Sequence, residues 1–187
     1  MSRVKKGVRI KKVTSEQKIY LLLGLASILL IGGGVFFLSN QQTEEIKREQ
    51  SPFAGVEMQS EGANHVPEGT EIEYNSNPPH SGPHYDRTAR AGIYDEAPED
   101  GNLVHSLEHG AVILWYKEDL PKEDVEILKG IFQKMSGKTI MTPKNGMDSP
   151  VALTSWTRIL KLEEIDEQKI LEFYEANYNR GPENAPI

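Results

Sequence analysis

Five histidines occur in this 187-residue chain, and all of them fall between His65 and His109. His65 sits in NHVPEG, His80 and His84 in PPHSGPH, and His105 and His109 in LVHSLEHG. Imidazole titrates near neutral pH and is the commonest metal ligand. Such a cluster therefore suggests either a metal site or general acid–base work. The spacing favours metal. With residues 103–109 as a short helix ended by Gly110 in the left-handed conformation, His105 and His109 stand at i and i+4 on one face. Two imidazoles so placed can reach one ion, with Glu108 beside His105 at i+3. In a strand the even separation would still keep both on one face. Gly82-Pro83-His84 holds a third imidazole on a stiff turn, and His65 can supply a fourth. The candidate metal ligands are His65, His84, His105 and His109. A single histidine is more often a packing or hydrogen-bonding residue. Four on rigid motifs put metal binding ahead of that reading without removing it.

Imidazole and carboxylate donors make zinc the default ion and copper the alternative. Met58, Met135, Met141 and Met147 could offer copper a thioether, but methionine is more often core filler. The string from His105 to His109 also matches the inverted zinc-protease pattern H-x-x-E-H, in which two histidines hold zinc and the glutamate activates water. The match is short and the region small for such a protease. Glu108 is thus the candidate catalytic base only if the protein is a metal-dependent hydrolase. Its other roles are to orient a ligand imidazole or to lie at the surface.

Other candidates carry less. Ser81 and Ser106 neighbour histidines, but no G-x-S-x-G nucleophile elbow accompanies them. Tyr85, Tyr94, Trp115, Tyr116 and Trp156 could line a pocket, although aromatics in a small domain are usually core. Arg87 and Arg90 could meet an anion, with solvated charge the ordinary alternative. The absence of cysteine excludes disulfides, thiolate metal sites and a thiol nucleophile. The net charge of −7 argues against a nucleic-acid partner.

The elements that must position these residues begin with a membrane signal. Residues 19–38, IYLLLGLASILLIGGGVFFL, contain no charge and are long enough to span a hydrocarbon core of about 30 Å as a helix. Ser27 can hydrogen-bond within that helix. Before the run, Arg3, Lys5, Lys6, Arg9, Lys11, Lys12 and Lys18 face a single acid, Glu16. The remainder of the chain is acidic. The positive-inside bias predicts a cytoplasmic N-terminus and an extracytoplasmic remainder. The exit FFLSNQQ lacks a small-x-small cleavage site, so an uncleaved single-pass anchor is expected over a signal peptide. The expected layout is a basic cytoplasmic tail over 1–18, a transmembrane helix over 19–38, a stalk and linker over 39–63, and an exported domain over 64–187. Lipid contact is expected through the helix, and the sequence does not identify a protein partner.

Within the exported part, Pro and Gly cluster between Val66 and Gly101, predicting ordered loop with a short strand around 72–74. AVILWY over 111–116 reads as a buried strand. Residues 121–135 have helical spacing, with Pro121 and the acids Glu123 and Asp124 at the start. A strand is expected over 138–142, stopped by Pro143, and another over 150–160. Asp166 can cap a last helix running to Tyr178. The order β–α–β–β–α predicts an α+β fold, a small mixed sheet covered by helices on one face, in which the 122–135 helix joins parallel strands.

The motifs NHVPEGTEIEYNSNPP, SGPHY, GIYDE, NLVHSLEHGAVILWY and PVALTSWTR resemble the bacterial membrane-anchored family called domain of unknown function 3105, over roughly Asn64 to Pro182. The resemblance implies a single N-terminal anchor and an exported domain, and brings no activity. It also implies that His65, His84, His105, Glu108 and His109 belong to the family pattern, while a small hydroxyl residue is usual at the position of His80. Three functions follow from the sequence. The first is an extracytoplasmic metal-binding accessory or sensor protein. The second is a metal-dependent hydrolase. The third is a structural or partner-binding domain of the cell envelope without metal.

Overall fold

The computed structural model describes residues 15–50 and 52–187. The basic tail expected over 1–18 lies, up to Thr14, outside the described residues. The described residues divide into two units after Lys47, the second being Arg48–Ile187. The helix α1 (Ser15–Gln50) makes up the described part of the first, and its stretch Lys18–Thr43 is long and apolar enough to cross a membrane. Ser27 Oγ donates to the Leu23 carbonyl at 2.9 Å, closing the expected bond within the helix.

The second unit is built on a six-stranded mixed sheet in the order β1-β6-β5-β3-β4-β2. Its strands are β1 (Val56–Glu57), β2 (Gly92–Ile93), β3 (Val112–Lys117), β4 (Thr139–Lys144), β5 (Val151–Ser155) and β6 (Arg158–Leu162). Helices α2 (Asp100–Glu108), α3 (Lys122–Phe132) and α4 (Glu167–Asn177) complete it. As the periodicity predicts, β3 and β4 are parallel neighbours joined by α3. Asp166 accepts from the Lys169 amide at 3.1 Å and caps α4. The α+β architecture is the one expected.

Helices cover both faces rather than one. Val112, Leu114 and Tyr116 face α3 and α4 through Leu128, Ile131, Phe132, Ile170 and Phe173. Ile113 and Trp115 face the other way, against Leu103 and Leu107 of α2. A strand buried on both faces reads as an unbroken apolar run, which is the reason AVILWY does not alternate. Trp115 brings a polar atom into this core, and its Nε1 donates to Thr154 Oγ1 at 2.8 Å.

Four local expectations change. Residues 72–74 form no strand. The segment 150–160 is a hairpin of β5 and β6 turning at Trp156-Thr157, with Thr157 at φ 58°. β4 continues through Pro143 to Lys144. The register places the Pro143 nitrogen away from β3, on the side where β2 has already ended, so its missing N–H breaks no ladder bond. The sheet also begins before Asn64: Val56 and Glu57 pair with Ile159 and Arg158 of β6, within the segment read as linker.

Candidate metal centre

Three pieces of backbone bring the histidines together on the α2 face of the sheet. Two extended segments run side by side, held by Gly82 N–H to Gly62 O (3.1 Å), His84 N–H to Asn64 O (3.0 Å) and Val66 N–H to His84 O (2.8 Å). This parallel clasp makes His65 and His84 bridge partners. Their rings lie edge to face, 4.7 Å between centroids. Gly82, at φ 126°, tightens the second segment, and a Cβ there would press on the Tyr74 ring at 3.1 Å. The third piece is α2. Ser106 Oγ donates to the Ala89 carbonyl and accepts from the Ala89 amide, both at 3.0 Å, tying the helix to the loop after His84. Ser81 likewise accepts from the Glu61 amide at 3.1 Å and bonds to His80 Nδ1 at 3.0 Å. Both serines hold backbone and neighbours in place.

His105 of α2 then sits 4.8 Å, centroid to centroid, from both His65 and His84, closing a triangle of imidazoles. Glu108, one turn on, points into it. Its Oε2 lies 2.9 Å from His84 Nε2 and 3.8 Å from His65 Nε2. One ligand atom from each of His65, His84, His105 and Glu108 falls within 4.8 Å of every other, a group able to hold a metal ion. His84, His105 and Glu108 are buried. The His65 side chain is 46% exposed, so the group opens to solvent on its side.

The hydrogen bonds set the tautomers. His84 Nδ1 donates to the Gly82 carbonyl at 2.8 Å, and His65 Nδ1 pairs with Asp86 Oδ1 at 3.0 Å. With Nδ1 carrying the proton, each Nε2 presents a lone pair toward Glu108. His84 Nε2, His105 Nδ1 and Glu108 Oε2 are all buried without a hydrogen-bond partner. Two acceptor atoms facing each other at 2.9 Å, with the unpartnered His105 Nδ1 beside them, are unfavourable unless a cation or a proton sits among them. Burial first, then the His109, His84 and His65 rings, push the His105 pKa down to about 4. That keeps it neutral, as a metal ligand must be.

His109 goes elsewhere. It neighbours His105 at 4.5 Å between centroids, as the i, i+4 spacing requires. Its Nδ1, however, donates to the Pro186 carbonyl at 2.8 Å, and its Nε2 faces Glu183 Oε2 at 3.4 Å. It belongs to an adjoining group of Glu108, His109 and Glu183. His80 lies outside both groups, buried, with Nε2 3.6 Å from Glu61. Burial lowers its pKa, while Glu61 acts to raise it. Trp156 stands edge-on to His84, 6.3 Å between centroids. Trp115 and Tyr116 are core, as are Met135, Met141 and Met147. Arg87 pairs with Glu68 at the surface. Sequence reasoning missed Glu183 and Asp86. Neither sits in a motif, and each reaches its histidine only through the fold.

A family model described as Protein of unknown function (DUF3105) matches residues 65–186 and so spans every residue of both groups. No curated protein and no solved structure matches the chain.

Proposed function

The chain belongs to the DUF3105 family, and we propose that it is a membrane-anchored extracytoplasmic metal-binding protein with an accessory or sensor role. The ion is held by His65, His84, His105 and Glu108. The observation that carries this is the facing of His84 Nε2 and Glu108 Oε2 across 2.9 Å while His84 Nδ1 is committed to Gly82. A cation between the two atoms, also reached by the orphaned His105 Nδ1, satisfies all three at once. Nitrogen and carboxylate donors with no thiolate suit zinc first and copper second.

Four protein donors complete a tetrahedral zinc shell, whereas catalytic zinc keeps one position for water. For this ion the count supports binding over the hydrolase alternative, and it makes Glu108 a ligand rather than a base. The layout proposed with it is the tail over 1–18 in the cytoplasm, the span over 19–38 in the lipid, a stalk that ends before β1, and the metal domain from β1 onward outside. The charge asymmetry about the apolar helix supports this orientation.

The test uses the full chain in detergent, without a histidine tag, stripped by chelator and dialysed against Zn(II) or Cu(II). Bound metal at neutral pH, lost in His84→Ala and His105→Ala, is the expected result. A folded parent chain that retains neither ion overturns the reading.

A further inference from the structure

We infer that the centre is dinuclear: a second divalent ion binds beside the first, held by His109 and Glu183, with Glu108 bridging the two. The inference rests on the metal-binding reading above and extends it. Glu108 is the one residue common to both groups. A carboxylate has two oxygens and can serve one ion with each. Its side chain is 5% exposed, and its Oε2 has no hydrogen-bond partner. A buried carboxylate is costly unless compensated by positive charge, and two flanking cations supply more compensation than one.

The second site has its own architecture. His109 Nδ1 is fixed on the Pro186 carbonyl, so its Nε2 is left to face Glu183 at 3.4 Å. The chain after α4 forms a strap that returns over the end of α2. Asn179 N–H donates to Gly110 O at 2.8 Å, and Glu183 N–H donates to Glu108 O at 3.1 Å. The approach is so close that a Cβ on Gly181 would lie 2.1 Å from Glu108 O. The strap therefore places Glu183 opposite His109 by backbone bonds. The first ion has four protein donors and is closed. The second has three and retains room for water or a small anion, which assigns exchangeable chemistry to the strap side.

Zinc titration of the chelator-stripped full chain by calorimetry, with elemental analysis after dialysis, tests this. Two zinc equivalents are expected in the parent chain. Glu183→Gln, a substitution at a half-exposed residue, is expected to keep one equivalent and weaken the second at least tenfold. His109→Ala should do the same. With Cu(II), two ions bridged by one carboxylate should give a half-field electron paramagnetic resonance signal that Glu183→Gln removes. A single equivalent in the parent chain, unchanged by Glu183→Gln, overturns the dinuclear centre and leaves the first site standing. No bound metal at all overturns the metal-binding reading itself.

Discussion

His84 Nε2 and Glu108 Oε2 face each other at 2.9 Å, both buried. Glu108→Gln tests what belongs in that gap. A glutamine amide can donate to His84 Nε2, so the substitution turns an acceptor–acceptor contact into a hydrogen bond and removes a buried charge. The metal-free protein should therefore gain about 1 kcal/mol, read as a rise in urea midpoint. Metal affinity should fall by at least about 100-fold, since a ligand is lost. The opposite signs are the signature. A metal-free variant less stable than the parent would mean that a proton, not a metal ion, belongs between the two side chains.

Acid should destabilise the metal-free domain well above the carboxylate range. Burial holds His105 at about 4 and also lowers His80, whereas both titrate near 6.5 in an unfolded chain. Between those values the unfolded chain binds more protons, so stability rises with pH across the window and is lost as pH falls through it. For His105 the loss is on the order of 3 kcal/mol. Urea midpoints of chelator-treated protein should drop between pH 7 and pH 4.5, and His105→Phe should flatten the profile. A midpoint that stays level in the parent would contradict a neutral buried His105.

What could be read in advance was local. The i, i+4 placement of His105 and His109 and the left-handed Gly110 follow from adjacent residues, as does the Asp166 cap. The β5–β6 hairpin escaped because its turn uses Trp156-Thr157, with Thr157 at φ 58°, where Gly or Asn is the usual signal. Without that signal, 150–160 reads as one strand. The division of the histidines into two groups was also hidden. Helical spacing sets His109 beside His105, but ring orientation is decided by Pro186 and Glu183, which arrive from the far end of the chain. Likewise Val56 and Glu57 carry no strand signature of their own and are recruited by β6.

Gly110 links the end of α2 to the strap. At φ 84° it occupies a backbone region costing L-residues about 1–2 kcal/mol. A Cβ there would lie 2.8 Å from Asn179 Cα, a contact with backbone that cannot rotate away. Gly110→Ala should therefore destabilise by more than about 2 kcal/mol and lift the strap before it disturbs the sheet. Zinc titration of the variant should show the second equivalent lost and the first retained. Equal weakening of both would mean that the strap does not carry Glu183 into place independently.

The absence of cysteine makes the orientation of the chain directly measurable. A single introduced thiol is the only one that a maleimide can label. Seven basic residues precede the apolar helix against one acid, while the domain after it is acidic, and basic flanks are retained in the cytoplasm. Ser2→Cys should therefore resist a membrane-impermeant maleimide in intact cells and react only after lysis. Glu118→Cys, at an exposed position just after β3, should react without lysis. Labelling of Glu118→Cys only in lysed cells would place the histidine groups in the cytoplasm, where any ion they hold would come from the cell's own tightly buffered supply. Labelling of Glu118→Cys together with recovery of both variants in the soluble fraction would show instead that the helix does not anchor the chain.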